Sequence, residues 1–546
     1  MDYFITHNNL PRTPRLFADY IYNFPKVENY YGGNRYLIGS SWENLYESIS
    51  SKGLTRKELA RILQEQNKKW GTEQKVLDNI SLLEMKDTVA VVSGQQVGLL
   101  LNPLYTLYKA LTAIKLAEEL KKRFKWRVVP IFWMEAEDHD LSEVNSLNLI
   151  DSQNRPIRLT LEGPFREGRT PVGKLHLGEQ IELFLKRLNT LVPDTEFKPE
   201  LWKKIISFYQ SEETFSSSFA RLMTHLFRGY GLIIVDPSDE RLKALARHLF
   251  TKVIDNFAEF NDILANRNRE LLQAGYPLQV NLLDLPHNSC LFIKIEGEKY
   301  PLLNNNGGFS PRGREEAYSR EELILLLEKS PEQFVPNVVL RPLFQDSLFP
   351  TIAYVAGPSE VAYFAQLQPL YPFFELPMPV IFPRGSFTVV EQKVKRVLDR
   401  FGLSFSHLLA GKEEVLKKIL PPSEVNPQED PFPTVHQKIG AIVDELRTHL
   451  QQTDPTLVGA LEKSRQKINY QINHLAGKYR QAGIQRHQTL LNQIEKVFNN
   501  LFPHNQLQER IINPFYYLFR YGEAFLRLIY KEINLNRFDY KLIYIS

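Results

Sequence analysis

A chain of 546 residues, 43% of them hydrophobic, can bury a large core and is long enough for roughly two to four domains. Its 67 basic and 63 acidic side chains nearly cancel, leaving a net charge of +4, which argues against a dedicated nucleic-acid binder. The single cysteine, Cys290, excludes an intrachain disulfide and a cysteine-rich zinc site.

No apolar run approaches the ~18 residues needed to span a bilayer. The opening MDYFITHNNLPRTP has neither a basic nor an apolar leader region. The expectation is a soluble, cytoplasmic protein with no membrane or nucleic-acid partner.

Residues 1 to about 85 read as mainly helical, as in Thr55–Lys69 and Glu73–Lys86. Thr88–Val92 is β-branched and apolar and predicts a buried strand. Ser93–Gly98 follows as a Gly-bearing turn. Asn102 suits a helix N-cap with Pro103 at the first helical position, and Leu104, Leu107, Tyr108, Leu111, Ile114 and Leu116 recur at roughly helical spacing. The turn and helix start would offer N–H groups to an anion, although a purely structural turn fits the same residues.

Val128–Phe132 predicts the next strand, which runs into Trp133–Asn145 (WMEAEDHDLSEVN). Strand, turn, helix, strand is one βαβ unit. In open α/β sheets ligands bind outside the carboxyl ends of the strands, so Glu137, Asp138, His139 and Asp140 are the first candidates for chemistry. A solvated acidic loop is the bland alternative. Extended backbone would put Asp138 and Asp140 on one side and Glu137 and His139 on the other.

From about 146 to 225 the pattern is irregular, with Pro156, Gly163, Pro164, Gly168, Pro171 and Gly173 between short strands, then helices near 179–191 and 200–229. This reads as a first insertion (146–225). Gly231–Pro237 is another buried strand and Asp239–Ala274 is helical, returning the chain to the core (226–274). Residues 275–332, with a strand at Cys290–Ile295 and a turn at Asn304–Gly308, read as a second insertion. Asn337–Leu367, a strand at Thr351–Ala356 and another at Val380–Phe382 make the second half of the core (333–420).

Pro421–Pro433 (PPSEVNPQEDPFP) reads as a linker. Beyond it Val435, Ile439, Ile442, Leu446 and Leu450 step by three or four. A turn at Thr453–Pro455 follows, then Leu461, Ile468, Ile472, Leu475, Tyr479 and Ala482, and finally Leu490, Ile494, Val497 and Leu501. The spacing predicts an antiparallel helical hairpin over 421–507 with a coiled-coil-like seam. An arm of about 45 residues reaches ~65 Å, too long to bury its seam on a small core, which points to a homodimer. A hairpin folded flat on its own body is the alternative. Aromatic residues from 508 to 546 suggest a return to the core.

Five blocks in order, Gly94–Lys109, Pro130–Asn145, Arg341–Leu367, Pro383-Arg384 with Thr388, and Asn513–Gly522, resemble the bacillithiol synthase family, the cysteine-adding enzymes of bacillithiol biosynthesis. The resemblance spans essentially the whole chain, and the GQQ-x-GL, EDHD-x-x-E-x-N and AGP-x-E blocks are specific in combination. It implies a Rossmann-like core akin to class I nucleotidyltransferases, two connecting-peptide insertions and a coiled-coil dimerisation domain. The implied reaction joins the carboxyl of L-cysteine to the glucosamine amine of glucosaminyl malate. Two positions depart: Asn102 stands where the family usually has Gly, and Glu135 lies outside the shared motif.

Carried onto this chain, the resemblance gives a catalytic set of Glu137, Asp138, His139 and Asp140. The substrate site is then Gln95, Gln96, Gly98, Tyr105, Trp133, Glu143, Asn145, Arg341, Gln345, Gly357, Pro358, Glu360, Tyr363 and Arg384. His139 suits the base that takes a proton from the glucosamine ammonium. Arg341 and Arg384 suit phosphate or malate carboxylates. ATP with Mg2+ is the expected activator. The class I families place a His pair after the first strand and a Lys-rich loop after a late one, whereas this chain has Gln95-Gln96 and only Arg384 there. A metal hydrolase using Asp138, His139, Asp140 and Glu143 as ligands, and a non-catalytic coiled-coil protein, are the competing readings.

Overall fold

Thr88 to Val92 and Val128 to Phe132 are runs that only a doubly covered strand can bury, and they lie at the centre of the protein. The computed structural model describes residues 4–50, 55–165, 170–281, 287–305, 308–419 and 431–545, with the backbone alone for 480–487. The chain folds as two compact units, one built on Tyr3–Val389 and Gln506–Ile543, the other on Val390–Asn505.

The strands in chain order are β1 (Phe4–Ile5), β2 (Thr88–Gln96), β3 (Arg127–Glu135), β4 (Ser146–Ile150), β5 (Pro156–Thr160), β6 (Ile233–Val235), β7 (Asn288–Ile295), β8 (Glu298–Asn305), β9 (Gly308–Pro311), β10 (Phe334–Pro336), β11 (Thr351–Ala356) and β12 (Val380–Pro383). The core of the first unit is a five-stranded sheet in the order β12-β11-β2-β3-β6, parallel at every pairing. From β2 the chain first builds outward through β3 and β6, then returns to β2's other side with β11 and β12. The switch point therefore falls between β2 and β11, where an open α/β sheet leaves a crevice at its carboxyl edge. The Leu104–Phe124 helix makes the first crossover and buries thirteen of its residues, consistent with a helix covering the sheet face.

Two segments interrupt the sheet. Between β3 and β6 stand the β4–β5 hairpin and the helices Gln180–Leu191, Lys198–Phe208 and Phe215–Leu226. Between β6 and β11 stands an antiparallel sheet in the order β10-β7-β8-β9. At the far end of the chain the strand Tyr540–Ile545 pairs with β1, Phe4 opposite Lys541.

The first βαβ turn differs from the sequence expectation in two ways. β2 does not stop at Val92 but runs through Gln96, so Ser93 to Gln96 are strand, and Gly94 pairs with Trp133 and Gln96 with Glu135. A Cβ at Gly94 would lie 2.7 Å from the Trp133 carbonyl oxygen. The glycine therefore serves a close strand approach, not a turn. Asn102 is not an N-cap either. Its side chain donates to the Ser146 carbonyl at 3.1 Å, the helix begins after Pro103, and the Leu104 N–H goes to the Ile512 carbonyl at 2.9 Å. That first N–H is thus spent on the returning chain and is not offered to an anion.

The second unit contains the hairpin Phe432–Thr453 and Val458–Leu501, joined through Asp454–Leu457. The unit starts at 390, earlier than the 421 read from the proline-rich stretch, because the Gln392–Arg400 helix packs on the Val458–Leu501 arm. The proposed linker lies, as far as residue 430, outside the described residues. So do Gly168, Asn306 and Gly307, and the side chain of Ala482. The single seam expected for the long arm is two stripes. Leu461 and Ile472 are half-buried and Ala476 is buried, as is Val443 of the first arm, whereas Ile468, Leu475 and Tyr479 are exposed. Two arms side by side cover only one stripe of each, and residues a heptad apart on the other stripe stay in water.

Candidate active site

A cavity of about 600 Å³ opens at the carboxyl edge of the sheet, a size that suits a small-molecule site. The ends of β2, β3 and β11 contribute Gln95, Gln96, Trp133, Tyr354 and Gly357 to its wall. Three segments far apart in sequence therefore meet, as parallel strands with their carboxyl ends on one edge require. Gln96 Nε2 donates to Asp138 Oδ2 at 2.7 Å and also to Glu143, which ties the end of β2 to the acidic stretch after β3.

That stretch divides its acids among different tasks. Glu137 is buried and its Oε1 accepts from Lys243 Nζ at 2.7 Å and Lys294 Nζ at 2.6 Å. Burial alone would raise its pKa, but the two ammonium groups overrule it and hold the carboxyl below its usual range. Its carbonyl oxygen accepts from Lys299. The side chain expected to be catalytic is therefore committed to anchoring the stretch, and two of the three lysines that anchor it come from the β7–β8 insertion. Asp138 accepts from Gln96 and from the backbone N–H groups of His139 (2.6 Å) and Asp140 (3.3 Å). These bonds, with Lys299, outweigh burial and keep it ionised. Asp140 caps the short Leu141–Val144 helix, accepting from the Ser142 N–H at 3.0 Å and hydroxyl at 2.6 Å, and does not line the cavity.

His139 does line it. Its side chain is 47% exposed, with Nδ1 3.7 Å from Asp138 Oδ1 and its ring 6.3 Å from that of Phe292. Glu137 and His139 do not share a role: one is locked under lysines and the other faces the cavity. Nor do Asp138, His139, Asp140 and Glu143 converge. Among the described residues no group of three or more His, Cys, Asp or Glu side chains is placed to hold a metal ion.

Arg341 also lines the cavity and is buried. It donates to Gln345 Oε1 at 3.1 Å and Tyr363 Oη at 3.5 Å, and its guanidinium lies 5.2 Å from the centroid of the Tyr354 ring. Gln345 itself is buried behind Arg341 and donates to Asp346 at 2.9 Å, so it orients the arginine rather than lining the cavity. Arg384 is also on the wall, but its guanidinium is held by Glu509 through two bonds of 2.8 and 2.9 Å, both side chains 2% exposed. A bidentate buried pair is not a loose anion binder, which corrects the assignment of Arg384 to phosphate.

Glu360, with Gly357 and Pro358, starts the Pro358–Leu367 helix at the cavity wall. Glu360 accepts from Lys109 Nζ at 2.6 Å, from the Gly357 N–H at 2.8 Å and from the Tyr354 hydroxyl at 3.0 Å. Lys109, buried, gives its other two protons to the Gly94 carbonyl (2.8 Å) and Gln95 Oε1 (2.9 Å). One ammonium thus fixes the ends of β2 and β11 together and turns the Gln95 amide, whose Nε2 reaches Tyr105 Oη at 3.3 Å.

Thirteen of the eighteen predicted site residues line the cavity. Asp140, Glu143, Asn145, Gly98 and Gln345 do not. Asn145 donates weakly to the Leu161 carbonyl at 3.5 Å, and a Cβ on Gly98 would meet the Asn102 carbonyl oxygen at 2.8 Å; both shape the chain behind the site. Sequence reasoning set Glu135 aside and missed Lys109, Lys299, Arg312 and Arg510, all on the cavity wall. Lys109 leaves a signal, a lysine on the buried face of an apolar helix between Tyr108 and Ala110. Lys299, Arg312 and Arg510 leave none, since only the folded chain brings their segments here.

A Rossmann-like parallel sheet with a mixed-charge pocket at its switch point, followed by an antiparallel helical hairpin, defines an α/β small-molecule enzyme class with an appended helical unit. Residues 4–385 match the family description "Bacillithiol biosynthesis BshC, N-terminal Rossmann-like domain" and residues 387–545 match "Bacillithiol biosynthesis BshC, C-terminal coiled-coil domain". The chain belongs to the bacillithiol biosynthesis BshC family. Relatives named "Putative cysteine ligase BshC" include that of Salinibacter ruber, 36% identical over 94% of this chain and 93% of the relative. Those of Chlorobaculum tepidum (35%, 89% and 88%) and Koribacter versatilis (33%, 94% of each) are similar in the same way. Among the described residues no helix is long and apolar enough to cross a membrane.

Proposed function

We propose that this protein is a cysteine ligase that forms an amide between the carboxyl of L-cysteine and the glucosamine amine of glucosaminyl malate, giving bacillithiol. Family membership supplies the reaction. The observation that carries it to this site is one cavity lined together by His139, ionised Asp138 and Arg341.

Amide formation needs a neutral amine, so the glucosamine ammonium must lose a proton before attack. His139 is the half-exposed group on the wall able to accept it. Asp138, kept charged by Gln96 and two backbone N–H groups, places negative charge beside the imidazole and stabilises it as it gains that proton. Arg341, preset by Gln345 and Tyr363, receives a carboxylate of the malate or a phosphate. Carboxyl activation calls for a leaving group, which ATP with Mg2+ would supply. The side chains that would hold its phosphates are Lys299, Arg312, Arg341 and Arg510. Bound there, the nucleotide supplies a leaving group for the cysteine carboxyl. The exposed stripe at Ile468, Leu475 and Tyr479 supports a homodimer formed by two hairpins.

Mass spectrometry of the purified protein with L-cysteine, glucosaminyl malate and ATP-Mg2+ tests this reading. The expected product is the condensate lighter than its two parts by one water, formed only when both are present. A folded protein that yields no condensate under any nucleotide would contradict it.

A further inference from the structure

Glu135 ends β3 on the cavity wall, opposite Gln96 in the register of the two strands. Its Oε2 is buried and has no hydrogen-bond partner. Arg341 Nε lies 3.8 Å away, outside hydrogen-bond reach, while that guanidinium's terminal nitrogens are turned to Gln345 and Tyr363. The neighbouring acids are all engaged: Glu137 by Lys243 and Lys294, Asp138 by Gln96, Asp140 by Ser142, Glu143 by Gln96. A buried acceptor without a donor is costly in a folded protein, and in a concave site it marks where a ligand completes the bonding.

We propose that Glu135 binds a primary ammonium group carried by an amino substrate of this cavity, through its unpartnered Oε2. The assignment rests on the amide-forming reading above, in which both reactants are amines. An ammonium offers three N–H donors to an oxygen that Arg341 approaches only to 3.8 Å, beyond hydrogen-bond reach. The α-ammonium of cysteine and the ammonium of glucosaminyl malate share that chemistry.

The electrostatics give the site a proton-linked signature. Burial pushes the Glu135 carboxyl up to about 7; Asp138 and Glu137 add to the rise, and Arg341 and Lys299 oppose it. Below pH 7 the empty site therefore holds a proton on Glu135. An ammonium at Oε2 favours the carboxylate, so binding expels that proton and affinity rises with pH through about 7. His139 lines the same cavity, and substitution at Glu135 separates the two groups.

The test is calorimetry of the full chain with L-cysteine and with glucosaminyl malate, each at pH 6 in two buffers of different ionisation enthalpy. For one of the two amines the wild type should release about one proton per site, and that amine is the one Glu135 holds. Glu135→Gln, checked for folding by thermal melting, should lose the release and bind that amine about tenfold more weakly at pH 8. Wild-type affinity and proton release in Glu135→Gln for both amines would overturn the assignment and leave the ligase reading standing. A wild type that binds neither amine would overturn both. The wild-type proton count stands without any variant: binding of both amines with no proton release at pH 6 also overturns the assignment.

Discussion

The two units treat charge and apolar surface in opposite ways. The sheet unit, beside exposed pairs such as Arg127–Asp87, buries matched ion pairs: Lys243–Glu137 at 0% and 4% exposure, Arg384–Glu509 at 2% each. In the helical unit the pairs Arg447–Glu462 and Arg465–Asp444 lie in water, and so do Ile442, Leu475 and Tyr479, each more than half exposed. Burying a charge is expensive unless its partner comes with it, and leaving apolar surface wet forfeits about 25 cal/mol per Å². Among the described residues, the buried pairs Lys243–Glu137 and Arg384–Glu509 join segments of the sheet unit itself. The hairpin supplies only one stripe per arm. The described cavity is lined by segments of one unit, whereas the hairpin leaves Ile468, Leu475 and Tyr479 uncovered.

The comparison breaks hardest at Glu137. Glu137→Ala strands two lysines in the core and should cost about 3–5 kcal/mol in urea unfolding. Glu462→Ala, cutting an exposed pair, should cost no more than about 1 kcal/mol. Equal losses would erase the distinction between the units. Glu137 and Glu360 both titrate below the usual carboxylate value. Their contribution is therefore present above about pH 4.5 and lost as pH falls through the lower folded values.

Glu135 has the opposite sign. Its folded pKa is raised, to about 7, so its effect on stability is absent below about pH 4.5 and becomes a loss as pH rises to 7. Glu135→Gln should be more stable than wild type by about 1–3 kcal/mol at pH 8 and equal to it at pH 4. Denaturant curves at the two pH values read this directly, and destabilisation at pH 8 would contradict it.

Smaller effects on folding are expected from the hairpin. Ile468→Glu with Leu475→Glu should turn a dimer into a monomer in sedimentation, while changing the stability of the chain itself by less than about 0.5 kcal/mol. Dimers that survive both substitutions would give the exposed stripe another role. The smallest effect is at Cys290. It is buried in β7 and does not line the cavity, and burial pushes its thiol up to about 12, the reverse of an activated nucleophile. Cys290→Ser should alter turnover less than about twofold; loss of product in a folded variant would make the cysteine part of the chemistry.

The strands β2, β3, β11 and β12 and the hairpin were legible because their signals are local: apolar runs that need two covered faces, and a repeat of three and four. So was the meeting of the Gln95, His139 and Arg341 segments, which follows from parallel strands sharing one edge. The division of labour within Glu137–Asp140 was not legible. Which acid is locked under lysines is decided by Lys243, Lys294 and Lys299, more than a hundred residues away. Arg384 looked available for the same reason, since nothing near it in sequence announces Glu509. The outward stripe of the hairpin was merged with the inward one because a heptad pattern records apolar positions, not which of them the second arm reaches.

In the proposed mechanism proton transfer falls to the half-exposed His139, while Glu137 and Asp140 hold the stretch around it in place. The most direct measurement is single-turnover formation of the cysteine amide by His139→Asn, with substrate binding followed in parallel. The prediction is near wild-type affinity and amide formation slowed by about 100-fold or more. A folded His139→Asn protein that forms the amide at the wild-type rate would contradict it.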